Sequence, residues 1–295
     1  MVSVIIPSYN SERTIEKCLD ALLNQTYSGE FEIILVDSSD DRTPEIVKNK
    51  YPSILFTHLN GRTGRGKARN IGITKSKGNP LLFVDSDCIV PSNWINELVA
   101  LHRSKNYAAI GGSVVNGNNT MSVIAWAGYI AEFRDFIPGQ KGGEVEHLPT
   151  CNIAYKREIL EKLGGFSEDC FLPEDHDLNQ RLILAGDKIF FNPDIKVKHI
   201  HRETFNSFIK HQKYIGIITA RMIRKYHLQG YIVAGNVVIS IILIPIIAML
   251  KFINTIIVFI KFQGKLLLKH PVSIGVFSMG LIPWGLGFIK GSMMK

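Results

Sequence analysis

The sequence predicts an α/β fold: a mostly parallel sheet flanked by helices, followed by a C-terminal helical membrane region. Three observations predict it. Short β-rich apolar runs alternate with segments of helical period through the first 200 residues, the rhythm of βαβ units. The strand runs are apolar throughout, as strands covered on both faces are. Beyond Gln229 come long uncharged stretches holding six Lys and no Arg, Asp or Glu, while the preceding 228 residues are nearly neutral.

Val2–Ile6 reads as the first strand, stopped by Pro7, and Ser8-Tyr9-Asn10 as a turn. Ser11–Asn24 reads as a helix with Ile15, Leu19, Leu22 and Leu23 on one face, capped by Asn10 or Ser11. Phe31–Val36 is a second strand, running into Asp37. Pro44–Lys50 is helical and Ile54–Thr57 a weak third strand. Ala68–Ser76 is a helix stopped by Gly78-Asn79-Pro80. Leu81–Val84 is a fourth strand, running into Asp85-Ser86-Asp87, and Trp94–Arg103 is helical. From Gly111 to Glu146 no period is legible, and Gly139–Gly143 reads as a loop, either a lid or a plain connection. Order returns with Cys151–Tyr155, a helix over Lys156–Leu163, a helix opening at Glu174-Asp175, and strands over Lys188–Phe191 and Ile195–Ile200.

Composition excludes several classes. With 46% hydrophobic and 20% charged residues among 295, the chain can bury a core and is not disordered. Cys18, Cys88, Cys151 and Cys170 form no C-x-x-C pair, so neither a zinc nor a redox motif is indicated, and reduced structural thiols are expected. No basic segment precedes the first strand, so no cleaved signal is expected. The basic, apolar tail points to an anionic membrane rather than to nucleic acid.

In parallel α/β sheets ligands bind beyond the carboxyl ends of the strands, and two predicted strands release acids there. Strand alternation would point Asp85 and Asp87 to one side, where a divalent cation relieves their repulsion. Mg2+ or Mn2+ prefers such oxygens and keeps positions for phosphate. The basic run Arg62–Arg69 precedes a helix, an arrangement that suits an anion. Glu174-Asp175 offers a carboxylate base, although acids are common in a first helical turn. On a predicted strand His199-x-His201 would bring two imidazoles to one face, either of which can complete a cation's shell.

Taken in order, Val4-Ile5-Ile6-Pro7-Ser8-Tyr9-Asn10, Val36-Asp37, Ala68-Arg69-Asn70-x-Gly72, Phe83-Val84-Asp85-Ser86-Asp87, Gly164-Gly165-Phe166 and Glu174-Asp175-x-Asp177-Leu178 resemble glycosyltransferase family 2, inverting enzymes with a GT-A fold. The resemblance covers residues 2–204. It implies a nucleoside-diphosphate-sugar donor and a catalytic domain over 1–204. Pro7 and Tyr9 would border the nucleotide, Asp37 hold the base or ribose, and Arg69 lie near the diphosphate. Asp85 would meet the ribose or the metal, and Asp87 would bind the metal with His201. Asn152 would face the sugar or acceptor. Asp175 would be the base, supported by Glu174. The Q-x-x-R-W motif of processive members is absent, which implies transfer of a single sugar.

Residues 205–229 read as a basic amphipathic interface helix and 230–295 as a membrane-associated region. Tyr231–Leu250 and Pro271–Ile289 are each long enough for a bilayer core of about 30 Å. Two spans would export Lys261, Lys265 and Lys269 against the positive-inside tendency, whereas a re-entrant or interfacial arrangement would not. A cytoplasmic catalytic domain and a membrane-bound lipid or glycolipid acceptor are expected. Two alternatives stand beside this reading. Leu82–Ile89 approximates the haloacid-dehalogenase phosphatase signature, with Asp85 as nucleophile, and a non-catalytic membrane scaffold would need none of these acids.

Overall fold

The computed structural model describes residues 1–118, 121–169 and 172–294. The expectation for Cys170 lies outside them. In chain order the elements are β1 (Val2–Ser8), α1 (Ile15–Leu23), β2 (Phe31–Asp37), α2 (Thr43–Lys50), β3 (Leu55–His58), α3 (Arg65–Lys75), β4 (Leu81–Phe83), β5 (Cys88–Ile89), α4 (Trp94–Ser104) and β6 (Ala109–Asn116). Then follow α5 (Val123–Glu132) with a 3-10 turn (Arg134–Phe136), β7 (Gly143–Val145), β8 (Ile153–Tyr155), α6 (Arg157–Leu163), α7 (Glu174–Leu184) and β9 (Ile189–His199). The chain ends in α8 (Phe205–Lys225), α9 (Tyr231–Gly235), α10 (Val237–Lys269) and α11 (Pro271–Met293).

Two compact units result. The first comprises Met1–Gly117, Gln140–Cys170 and Glu174–Ile200; the second comprises Asn118–Gly139, Phe171–Pro173 and His201–Lys295. Residues 118–139, which carry no legible period, thus belong with the C-terminal helices.

The first unit is built on one sheet of order β3-β2-β1-β4-β8-β6-β9-β5, with β7 on β9. Its N-terminal half is parallel. Val4, Ile5, Ile6, Ile34, Leu35 and Val36 have no exposure, which is why these strands read as unbroken apolar runs. Pro7 does not end β1: it pairs with Val36 inside the strand. Register aligns Ser8 with Asp37 and Asp37 with His58, so three strands end at one level. Gly72 lets α3 lie against β1, since a Cβ there would stand 2.5 Å from Ile5 Cγ2. Beyond β4 the sheet is mixed, because β8 enters antiparallel between β4 and β6.

The two strands predicted near the end of the first unit are one, β9. Its register against β6 shifts between Gly112 and Ser113, which leaves ladder carbonyls without strand partners. Asn152 repairs this: Nδ2 donates to Ser113 O and Ile195 O, both at 2.9 Å, and Oδ1 accepts from Trp94 Nε1 at 2.9 Å.

In the second unit α10 and α11 are long and apolar enough to cross a membrane. α8 packs along α11 through glycines: a Cβ at Gly216 would strike Trp284 O, and one at Gly287 would strike Lys213 O. Pro245 lies inside α10, whose backbone leaves helical geometry at Gln263. The sequence shows no helix at α5 because Val123–Glu132 is apolar on all sides and lacks an amphipathic period.

Candidate active site

The site lies in the first unit, at the carboxyl edge of the parallel strands. Asp37 closes β2 with no exposure. Ser39 N and His58 Nδ1 meet its Oδ2 at 3.2 and 2.7 Å, and Ser39 Oγ donates to Oδ1. Sequence reasoning misses His58; its signal is the residue that ends β3 opposite Asp37. Pro7, inside β1, is buried, and Tyr9, just after the strand, is exposed, with the Arg62 guanidinium 5.0 Å from its ring centroid. Ser8 Oγ is buried and finds no hydrogen-bond partner among the described residues.

Arg69 on α3 is fully buried. Its Nη1 donates to Glu174 Oε1 and its Nη2 to Asp85 Oδ1, each at 2.6 Å, while Arg65 Nε reaches the same Glu174 oxygen at 3.3 Å. Burial works against the guanidinium charge, and Asp85 and Glu174 more than restore it. Glu174 therefore joins α7 to α3 through Arg69. Asn70 and the glycine pair brace the same region: Asn70 Oδ1 accepts from Phe166 N at 2.8 Å, and Gly164 and Gly165 take φ of +71° and +73°.

Asp85 and Asp87 do not sit on a strand. β4 ends at Phe83, and the two acids lie in the turn before β5. Strand alternation therefore does not aim them, and they diverge. Asp85 turns to Arg69, whereas Asp87 Oδ1 lies 3.5 Å from His199 Nε2 and 3.8 Å from Cys88 Sγ. The antiparallel pairing of Cys88 with His199 makes this meeting, and Ile200 N donates to Asp87 O at 2.8 Å. One ligand atom each from Asp87, Cys88 and His199 lies within 4.8 Å of the others, a separation a single divalent cation can bridge. The carboxylate suits a hard ion such as Mg2+ or Mn2+, and the imidazole favours the transition-metal ion of the two, Mn2+. Burial pushes the Cys88 thiol well above its ordinary range, which leaves it a neighbour of the ion and not a thiolate ligand. The sequence pattern leaves His199 and His201 both open, and the family resemblance places His201 here. β9 ends at His199, so the two imidazoles do not share a strand face, and His201 belongs to the second unit, its ring centroid 6.0 Å from Tyr129's and 5.5 Å from Phe133's.

Asp175 opens α7 beside Glu174, partly exposed, and its Oδ1 accepts from His176 N at 2.8 Å. Cys151 is buried at the end of the loop that leads into β8. A hydrogen bond with Cys88 draws its thiol down, and burial with the charges of Asp85, Asp87 and Asp175 pushes it above the usual range. Asn152, expected to face sugar, has both amide hydrogens engaged by Ser113 and Ile195. Cys18 lies at the same edge, buried, its thiol raised chiefly by burial and then by Asp87 and Asp85.

The comparisons with known proteins agree with this geometry. The profile of the family described as Glycosyl transferase family 2 matches residues 3–164, more than half of the chain. GlyG, a glycosyltransferase of Streptococcus pneumoniae, is 34% identical over 226 residues, covering 71% of this chain and 73% of its own. A dolichyl N-acetyl-alpha-D-glucosaminyl phosphate 3-beta-D-2,3-diacetamido-2,3-dideoxy-beta-D-glucuronosyltransferase of Methanococcus voltae is 26% identical over 316 aligned positions, 99% of this chain and 98% of that one. The mannosyltransferase PcManGT of Pyrobaculum calidifontis, solved with GDP-Man and Mn2+, superposes with a TM-score of 0.61 at 20% identity, covering 97% and 86% of the two chains. That last likeness gives the fold, GT-A. The phosphatase and scaffold alternatives fall with these matches, and Asp85 follows the fourth strand with one oxygen held by Arg69. The chain is a glycosyltransferase and belongs to glycosyltransferase family 2.

Proposed function

We propose that this glycosyltransferase moves one sugar, with inversion, from a nucleoside-diphosphate sugar to a hydroxyl or phosphate of a membrane-bound lipid acceptor. The observation that carries the reading is that buried Arg69 joins Asp85 to Glu174, the neighbour of Asp175, at the carboxyl edge of the sheet, with Asp87 and His199 side by side there. Pro7, Tyr9 and Asp37 border the nucleoside, with the buried Ser8 Oγ among the polar atoms offered to it. Asp87 and His199, with Cys88 beside them, would hold the divalent cation. The family resemblance assigns the histidine to His201, and the geometry of the first unit favours His199. When bound, such a cation neutralises the charge of a departing diphosphate.

Asp175 takes the acceptor proton. Its Oδ1 is engaged by His176 N, which orients the carboxylate and leaves Oδ2 to receive the proton. Glu174 has a different role. Arg69 and Arg65 hold it in ion pairs, and through them α7 and the base keep their position. Holding donor and acceptor in line supplies much of the acceleration.

The lipid acceptor rests on two supports: the dolichyl-linked substrate in the name of the Methanococcus voltae relative, and the apolar helices of the second unit. A cytoplasmic catalytic domain follows from the basic residues Arg221, Arg224 and Lys225 ahead of those helices. A donor screen tests the whole. Membranes holding the chain are given UDP- and GDP-sugars with Mn2+ or Mg2+, and transfer to extracted lipid is read. Transfer from one donor class, dependent on the cation and absent from Asp175→Asn, is expected. Full activity of Asp175→Asn overturns the assignment of the base.

A further inference from the structure

α10 and α11 are long enough to cross a bilayer, yet each has charged, exposed neighbours where hydrocarbon would have to be. Near the middle of α10, Lys251 Nζ lies 5.4 Å from the Trp284 ring centroid. One turn on, Thr255 Oγ1 accepts from Arg134 Nη1 at 3.3 Å. Arg134 Nε donates to both carboxylate oxygens of Asp135, at 3.2 and 3.3 Å, and the Asp135 side chain is 62% exposed. An ion pair that no protein covers on its Asp135 side therefore stands beside the centre of the helix, where a spanning α10 would expose it to hydrocarbon. The stretches on either side, 237–250 and 256–269, are about 14 residues and about 21 Å each, short of a core of about 30 Å.

The second helix shows the same conflict. α8 runs beside the C-terminal half of α11 in the same direction. Phe208 lies at Gly280, Gly216 at Trp284 and Phe288, and Arg224 Nη1 reaches Ser292 O at 3.3 Å. Lys210, Lys213 and Lys225 of α8 are exposed. A spanning α11 would carry that lysine-bearing partner through the hydrocarbon, where charges facing lipid are costly. The opposite side of each helix is apolar. Val238, Ile242, Ile246, Met249, Ile253 and Ile257 form an exposed stripe at helical spacing on α10, and Val272, Met279, Ile282, Leu286 and Met293 form one on α11.

We propose that α8, α10 and α11 form an in-plane membrane surface, by which the chain attaches to one leaflet of an anionic bilayer without crossing it. The two stripes enter the acyl boundary, and the charged neighbours remain in water. Charge selects an anionic leaflet: no Asp or Glu follows Glu203, while Lys261, Lys265, Lys269 and Lys290 lie on or beside the apolar helices. The proposal rests on the membrane association given above and adds its mode.

The test uses the full chain in sealed membrane vesicles from expressing cells. Single cysteines are introduced by Ser53→Cys, in the first unit, and Lys269→Cys, the last residue of α10; both positions are exposed. A membrane-impermeant maleimide is applied before and after permeabilisation, with the native chain as background. Equal labelling of the two positions before permeabilisation, in the pelleted fraction, is expected. Labelling of Lys269→Cys only after permeabilisation, with Ser53→Cys labelled before it, overturns the in-plane mode and leaves membrane association standing. A chain that stays in the supernatant, alone or as a dimer, overturns membrane association and this inference together.

Discussion

Arg69 is the residue on which the site's rigidity depends. It is buried between Glu174 and Asp85, on elements far apart in sequence. Removing one partner of a buried charge group costs about 3–5 kcal/mol, because the other is left uncompensated. Arg69→Met should therefore lower the melting temperature by roughly 10 °C in a thermal denaturation scan, and Lys in its place should recover only part, since it cannot fork to two acids. Asp175→Asn should behave differently. Transfer should fall by about a thousandfold or more while the calorimetric affinity for donor stays unchanged, since a general base acts on the proton and not on the donor. Acids at strand ends are visible in the sequence because they interrupt apolar runs. The pairing of those acids is less visible: His58 is brought in by register, the choice of His199 over His201 is made by where β9 ends, and Asn152 serves a bulge that no local pattern announces.

At the scale of elements, the short antiparallel pairing of β5 with β9 builds the candidate cation site. Cys88 faces His199 across that ladder, and both stand next to Asp87 in space. His199→Ala should weaken Mn2+ binding, read by electron paramagnetic resonance titration, by about 10–100-fold while leaving the sheet folded. Cys88→Ser should change Mn2+ affinity by no more than a few-fold in the same titration, because burial keeps that thiol protonated and a protonated thiol is a poor ligand. The parallel strands β1, β2 and β4 and helices α1, α3 and α4 are legible because burial on both strand faces, or on one helix stripe, leaves a clear signature in residue order. The sequence extends β4 by one residue and splits β9 in two, because Asn192-Pro193-Asp194 carries the turn signal of a break where the chain merely bulges. Helix α5 has no polar face to set a period, so its sequence matches no single template.

For the whole molecule, pH acts through the joint between α7 and the loop before β8. The His147 and His176 rings stack with centroids 3.3 Å apart, and Asn179 Nδ2 donates to His147 Nδ1 at 2.9 Å. Burial, then the neighbouring His176, holds His147 well below the ordinary histidine range. The folded chain thus binds this proton less readily than the unfolded one. Stability is unaffected above about pH 6.5 and falls as pH drops from there toward the lowered folded value, by up to about 1.4 kcal/mol per pH unit. His147→Gln should flatten that slope in urea titrations between about pH 6.5 and 5. The two-unit division is only partly readable in the sequence, since membership of a unit depends on contacts, and 118–139 joins helices that begin far later in the chain.

The glycines between α8 and α11 have a consequence of their own. At Gly216, Gly287 and Gly291 main chain rests on main chain, with no side-chain teeth to mesh at another setting. Such a seam cannot slip by a notch and re-engage; a methyl group at any of these points would pry the two rods apart along their length. The pair is therefore a single stiff keel, and its tilt, once the chain has settled, is inherited from backbone alone.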